Sequence, residues 1–321
     1  MYNSIFVMLV GLPGSGKSTY TKQFIENGYV IHSSDAIREE LTGDANNQDI
    51  NSKVFETLHK RVKQDLRDGK KVIYDATNIS WKRRKAFLQE LNNIKCWKVC
   101  NVIATPFEIC IKQNDMRDRK VPHEVIDRMY RNFDIPYYNE GWDRINIIYT
   151  KDEWKTLYGS WNQFIYDTMD FNQDNEHHTL TLGEHCLLTK KYIRDQLNKG
   201  LINFDKGMEL LVAGALHDCG KPYTQTYINK KGETDVKAHY YEHEHIGSYN
   251  VLFYDTTLIK DLDKLDISAL IRWHMILHFS KDWNEKTKIK YEKEFTEHEY
   301  LKNIQFYDML KLLYEADVNA H

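Results

Sequence analysis

The chain has 321 residues, 41% hydrophobic and 28% charged. These proportions exclude wholesale disorder and suit about two domains. Its 15 glycines and 5 prolines exclude a collagen-like or proline-rich architecture, and 44 Lys and Arg against 47 Asp and Glu leave a net charge of −3, without the basic excess of a protein that coats duplex nucleic acid.

The first predicted element is the apolar run 5–10, a buried parallel strand. It lacks the basic flank of a signal peptide. The run Gly11-Leu-Pro-Gly14-Ser15-Gly16-Lys17-Ser18-Thr19 follows and opens a helix. This is a complete phosphate-binding loop, and it needs glycines because backbone N–H groups must turn inward around phosphate oxygens. Lys17 would reach the β- and γ-phosphates, and the Ser18 hydroxyl would bind Mg²⁺.

Further strands are predicted over 29–33, 72–74, 97–104 and 145–149, with helices near 51–68, 81–92, 106–117 and 122–133. Such alternation gives a parallel sheet with crossover helices, and ligands collect at the carboxyl ends of its strands. The second strand runs into Ser33-Ser34-Asp35, with Arg38 one turn further along. Asp35 is a candidate base for an acceptor hydroxyl and also a plausible helix cap. Arg38 would grip an acceptor phosphate. The third strand ends at Asp75, placed to hold Mg²⁺ or its waters. Trp81-Lys-Arg83-Arg84-Lys85 opens the next helix and, as a bare charge run, reads as a solvated face. The basic stretch around Arg117 and Arg119, with Arg128 and Arg131 beyond it, would suit a lid over a transferring phosphoryl group.

Four segments in order now carry a resemblance: the glycine loop, Ser33-Ser34-Asp35-x-x-Arg38, Asp75-x-Thr77-Asn78 with Arg83-Arg84, and the lid ending Val121-Pro122-x-x-Val125-Ile126. Together they resemble the 5′-kinase domain of the phage-type polynucleotide kinase family. The resemblance implies ATP (or another nucleoside triphosphate) with Mg²⁺, Asp35 as general base, Arg38 as acceptor-phosphate ligand and Arg117 as lid cation. One departure is Gln113, where the family's lid helix commonly offers a further arginine; Arg119 would compensate as a second nucleotide-binding lid cation, which leaves open whether Arg117 or Arg119 contacts the γ-phosphate.

The second half differs in kind. Only His32, His59 and His123 precede residue 177, and the other 11 of 14 histidines lie from His177 to His321. Such enrichment points to metal chemistry. A boundary near 155 gives domains 1–155 and 156–321. The second reads as all helix, over about 183–198, 206–218, 241–253, 265–278 and 298–318. Candidate ligands are His185, the adjacent pair His217-Asp218, His243, His274 and Asp317. His274 and His278 are four apart, hence on one face of a helix. The His217-Asp218 pair closes an apolar run and would be poorly satisfied in a plain core.

His185, His217-Asp218 with Gly220-Lys221-Pro222, His243-Glu-x-x-Gly247, His274 and Ala316-Asp317-x-x-Ala320 make this half similar to the HD-domain phosphohydrolase superfamily. That resemblance implies one or two divalent ions of the Mn, Ni, Co, Fe or Zn class. His185, His217, Asp218 and Asp317 would hold the first, and His243 and His274 the second with Asp218 bridging. Lys221 would assist phosphate binding.

The fold expected is therefore an α/β P-loop NTPase domain followed by an all-α HD domain. The joint expectation is an end-healing enzyme acting on single-stranded or nicked RNA or DNA ends, with a separate ligase as a possible partner. Two alternatives stay open: a nucleoside or nucleotide kinase fused to an HD nucleotidase, and an HD hydrolase controlled by a nucleotide-sensing P-loop. The five cysteines are odd in number and form no CxxC pair, which suits a reducing cytoplasm over a disulfide framework. No apolar run approaches the roughly 18 residues of a membrane span.

Overall fold

A computed structural model describes residues 4–175, 179–200, 204–257, 263–296 and 306–320. His177, His178, His298 and His321, and the stretch 298–305 of the last expected helix, lie outside the described residues. The chain divides into two compact units, Met1–Met129 with Pro136–Thr150, and Tyr130–Ile135 with Lys151–His321.

In the first unit β1 (Ser4–Val10) leads through the glycine loop into α1 (Lys17–Ile25). There follow β2 (Tyr29–Ser33), α2 (Ser34–Thr42), α3 (Asn51–Arg67), β3 (Lys71–Asp75), α4 (Trp81–Glu90), β4 (Cys96–Ala104), α5 (Phe107–Asp115), α6 (His123–Arg131) and β5 (Arg144–Tyr149). The strands form one parallel sheet in the order β2-β3-β1-β4-β5. β1 is central because both its faces are apolar. Phe6 packs with Phe87 and Trp142 on one side, and Val7, Leu9 and Ile73 pack with Phe24 and Tyr29 on the other. Covering both faces is what a parallel sheet requires.

The second unit contains α7 (Gln163–Asp167), α8 (Leu182–Asn198), α9 (Phe204–Leu216), α10 (Lys221–Thr224), α11 (His243–Asn250), α12 (Lys264–Trp273), α13 (Glu285–Thr296) and α14 (Phe306–Val318). α8 starts where Thr181 and Glu184 cap each other reciprocally. α9 is apolar around most of its circumference, and Leu210, Val212, Ala213 and Leu216 are buried.

Two expectations are corrected here. The unit is not all helix: β6 (Thr226–Ile228) and β7 (Thr234–His239) form an antiparallel hairpin around Asn229–Gly232. β-Branched residues alternate with polar ones there, which suits a ribbon. In addition, α12 gives way to a 3-10 helix over His274–Asp282. With about three residues per turn, positions four apart no longer share a face, so His274 and His278 diverge. Among the described residues, no helix is long and apolar enough to cross a membrane.

Glu209 of α9 and Asp266 of α12 are buried around the Lys206 ammonium. Burial, reinforced by Asp266, raises the Glu209 carboxyl above its ordinary 4.5. The folded state therefore holds this proton more tightly than the unfolded chain. The stabilisation is complete below the ordinary value and is lost as pH rises through the raised one. Glu209→Gln mimics the protonated acid. It is expected to raise the melting temperature at about pH 9 and to leave it nearly unchanged at about pH 5. An equal effect at both would contradict this reading.

Candidate phosphate-transfer and metal sites

The glycine loop is shaped by contacts on every side. Gly14 and Gly16 have φ of 79° and 90°, a region that favours glycine. A Cβ at Gly14 would lie 2.2 Å from the Cys110 carbonyl oxygen. Thr105 Oγ1 donates to Ser15 O at 2.9 Å, and the Gly11 amide donates to Thr77 O at 3.0 Å. The Asp75–Asn78 segment thus buttresses the loop. Asn78 donates to Leu9 O at 2.8 Å, and its own carbonyl accepts from Arg84 at 2.8 Å.

Arg84 departs from the solvated face expected of its charge run. It is buried and pairs bidentately with buried Glu140 at 2.8 and 2.6 Å. It stands on the inner side of α4 and anchors the turn beside the loop.

Lys17 donates to the carbonyls of Gly11 and Leu12 at 2.8 and 2.7 Å. Burial pulls its ammonium down to about 8, against the opposing pull of Asp75. Burial likewise raises the Asp75 carboxyl, opposed by Lys17. Lys17, at the start of α1, and Asp75, at the end of β3, are one electrostatic unit, and the Arg117 charge acts on both. Ser18 and Thr19 are exposed on the first turn of α1.

Asp35, second residue of α2, is 50% exposed at its side chain. Its Oδ1 accepts from Arg38 Nη1 at 2.8 Å, and its Oδ2 pairs with Arg119 Nη1 at 2.9 Å. Arg38 is buried and also donates to Asn51 Oδ1 at 2.9 Å. The two lid arginines therefore have different neighbours: Arg117 acts on Lys17 and Asp75, and Arg119 touches Asp35.

In the second unit, helix ends deliver six groups to one buried place. His185, His217 and Asp317 form one trio, and Asp218, His243 and His274 another. In the first trio, His185 Nε2 lies 3.1 Å from His217 Nε2 and 3.1 Å from Asp317 Oδ1. In the second, His243 Nε2 lies 3.3 Å from His274 Nε2 and 3.2 Å from Asp218 Oδ1. Asp218 serves both, because its Oδ2 is 3.3 Å from His217 Nε2.

The opposite ring nitrogens explain this convergence. His185, His217, His243 and His274 set Nδ1 against the carbonyls of Ala320, Gly214, Tyr240 and Ile271 at 2.7–2.9 Å. Nδ1 must carry a proton there, so in the neutral rings Nε2 presents a lone pair inward. Facing lone pairs repel unless a cation lies between them. A divalent ion with bonds of about 2.1 Å holds neighbouring ligand atoms about 3.0–3.4 Å apart, close to what is observed. Imidazole with carboxylate suits Mn, Fe, Ni, Co or Zn. With no ion between the rings, Asp218 and Asp317 would draw a second proton onto His217, lifting its imidazole to about 10 against the opposing effect of burial; a bound cation takes that proton's place. Burial likewise opposes ionisation of Asp218, which Lys221 and His217 nevertheless hold well below the usual carboxylate range. The cluster calls for positive charge and fits a metal.

Two neighbours complete it. Lys221 Nζ lies 2.7 Å from both Asp218 Oδ2 and Gln173 Oε1. His278 Nε2 holds the outer oxygen of Asp317 at 2.9 Å. Gln173 sits before α8 in a segment with no motif, so nothing in the sequence marked it. Gly220 lets the segment after His217-Asp218 approach α11 closely, since a Cβ there would lie 2.0 Å from the His243 carbonyl oxygen. His239 pairs with Asp235, and His245 faces Phe133 O; neither belongs to the trios.

Comparison with known proteins adds to the first unit. A protein-family model described as an AAA domain matches residues 6–136. The L-seryl-tRNA(Sec) kinase of Methanococcus maripaludis is 26% identical over 178 residues, 53% of this chain and 67% of that protein. A solved chain of the Pnkp1/Rnl/Hen1 RNA repair complex is 24% identical over 41% of this chain and 44% of its own, with a TM-score of 0.37. A putative kinase from Chloroflexus aurantiacus is 15% identical over 47% of this chain and 87% of its own, with a TM-score of 0.40. The chain thus spans less than half of the RNA-repair chain that it matches. Residues 6–136 carry an α/β P-loop fold similar to kinase domains, and a P-loop kinase implies ATP and Mg²⁺.

Elemental analysis of the purified protein is expected to find transition metal, up to about two ions per chain. Asp218→Ala should lose most of it. Chelation should lower stability by about 2.7 kcal/mol relative to protein held at 100-fold the dissociation constant. Metal content equal in wild type and variant would contradict the assignment.

Proposed function

We propose that the chain is a bifunctional nucleic-acid end-healing enzyme. Residues 1–155 would phosphorylate 5′-hydroxyl ends with ATP. Residues 156–321, as an HD-type phosphohydrolase, would remove 3′- or 2′,3′-cyclic phosphates. The observation that supports this reading is the presence in one chain of two sites suited to opposite phosphate chemistry. One is a P-loop with a guanidinium-bound carboxylate at the end of the next strand; the other is a buried cluster of four imidazoles shared by Asp218.

In the first unit the loop amides, Lys17 and Arg117 would neutralise the transferring phosphoryl group. Ser18 and Asp75 would hold Mg²⁺ or its waters. Asp35 would take the proton of the acceptor hydroxyl, with Arg38 orienting it. The Methanococcus relative's name places its acceptor on a seryl group carried by tRNA, which supports an acceptor attached to RNA. In the second unit, His185, His217, Asp218 and Asp317 would hold one ion, and Asp218, His243 and His274 another. Bound ions supply Lewis acidity and hydroxide near neutral pH. Lys221, fixed between Asp218 and Gln173, would set its charge beside the phosphate. The products, a 5′-phosphate and a 3′-hydroxyl, are what a ligase consumes, so a separate ligase is the class of partner.

The test uses a short RNA with 5′-hydroxyl and 2′,3′-cyclic phosphate ends, incubated with ATP, Mg²⁺ and Mn²⁺ and read at both ends by mass spectrometry. Wild type should gain a 5′-phosphate and lose the terminal 3′-phosphate. Lys17→Ala should lose the first reaction alone and Asp218→Ala the second alone, each by about 100-fold or more. No change at either end would overturn the reading. Joint loss in folded single variants would overturn the separation of sites.

A further inference from the structure

The contacts of Arg119 carry an assignment that rests on the kinase reading above. Arg119 lies in the segment between α5 and α6. Its Nη1 pairs with Asp35 Oδ2 at 2.9 Å, and its Nε donates to Asn46 Oδ1 at 2.7 Å. Arg38 already holds the other oxygen of Asp35. Each oxygen of the candidate base is thus engaged by a guanidinium. A general base must instead turn an oxygen toward the acceptor hydroxyl, at about 2.6–3.2 Å.

The two arginines are not equally free to leave. Arg38 is 4% exposed and fixed by Asn51 as well as Asp35. The Arg119 side chain is 29% exposed, and its segment belongs to no helix. An exposed ion pair of this kind is worth only about 1 kcal/mol or less, so Arg119 can be drawn away at little cost. A phosphate offers a guanidinium two parallel charged bonds. Arg38 Nε is buried and has no hydrogen-bond partner among the described residues, which leaves one donor unspent beside Asp35.

We propose that Arg119 is an acceptor-keyed gate and a specificity-determining residue. A phosphate carried by the acceptor near its hydroxyl takes Arg119 off Asp35 and frees Oδ2. The acceptor oxygen then bonds to the γ-phosphorus while the bond to the β–γ bridging oxygen breaks. The nucleoside diphosphate leaves with that electron pair, and the hydroxyl proton passes to Asp35 Oδ2. An acceptor without a phosphate, water included, leaves Arg119 in place. The gate thus selects phosphate-bearing 5′-hydroxyl acceptors and protects ATP from hydrolysis. It also assigns Arg119 to the acceptor and not to the γ-phosphate.

The test compares kcat/KM for adenosine 3′-monophosphate and for adenosine, together with KM for ATP and hydrolysis of ATP without acceptor. In Arg119→Ala the preference for the phosphorylated acceptor should fall about 10-fold or more. Acceptor-free hydrolysis should rise, and KM for ATP should stay unchanged. Asn46→Ala, which removes the anchor of Arg119, should move the preference in the same direction by less. A rise in KM for ATP with equal loss for both acceptors would overturn the gate in favour of a γ-phosphate contact. An unchanged preference would reduce the pair to a surface contact and overturn it too. Wild type that phosphorylates neither acceptor would overturn the kinase reading and the gate together.

Discussion

Four buried imidazoles turn their Nε2 atoms toward one another. Each has its proton committed on the far side of the ring, to the carbonyl of Ala320, Gly214, Tyr240 or Ile271. Buried lone pairs and buried carboxylates are both costly unless a cation answers them. The second unit is arranged around this requirement: α8 supplies His185, the end of α9 supplies His217 and Asp218, α11 supplies His243, the end of α12 leads into His274, and α14 supplies Asp317. Asp218 is the shared member, with one oxygen toward each trio. Lys221 adds a second contact to Asp218 Oδ2, and His278 holds the outer oxygen of Asp317.

The first unit answers a different constraint, the placing of backbone amides. Its loop is pressed between Cys110, Thr105 and Thr77, so its shape is set by the strands and helix around it. The buried Arg84–Glu140 pair holds the Asn78 carbonyl, and Asn78 in turn holds Leu9 at the end of β1. A buried charged pair thereby supports the glycine loop. Removing one partner of such a pair would cost about 3–5 kcal/mol and loosen the loop with it.

The sheet was legible in the sequence because its strands are continuous apolar runs, each closed by a loop of small or polar residues. All five predicted strands fall within a residue of those observed. The ligand cluster was legible where two chemical groups interrupt an apolar helix, as at His217-Asp218. The hairpin β6–β7 was not legible because it has little core face; Val236 is 90% exposed. Helix α13 escaped for the same reason, since its run of Lys and Glu buries only Phe295. The roles of Gln173 and His278 depend on which neighbour each one meets. The switch from α-helix to 3-10 helix at His274 turned His278 toward Asp317, which no spacing rule foretells. The contact of Arg119 with Asp35 joins residues 84 positions apart, and only the fold brings them together.

The sharing of Asp218 between two ions is the claim on which the second site rests. Electron paramagnetic resonance of the full chain titrated with Mn²⁺ tests it directly. Two ions bridged by one carboxylate should give a magnetically coupled spectrum as the second equivalent binds, and Asp218→Ala should abolish the coupling. A six-line signal of isolated Mn²⁺ throughout the titration would contradict a bridged pair.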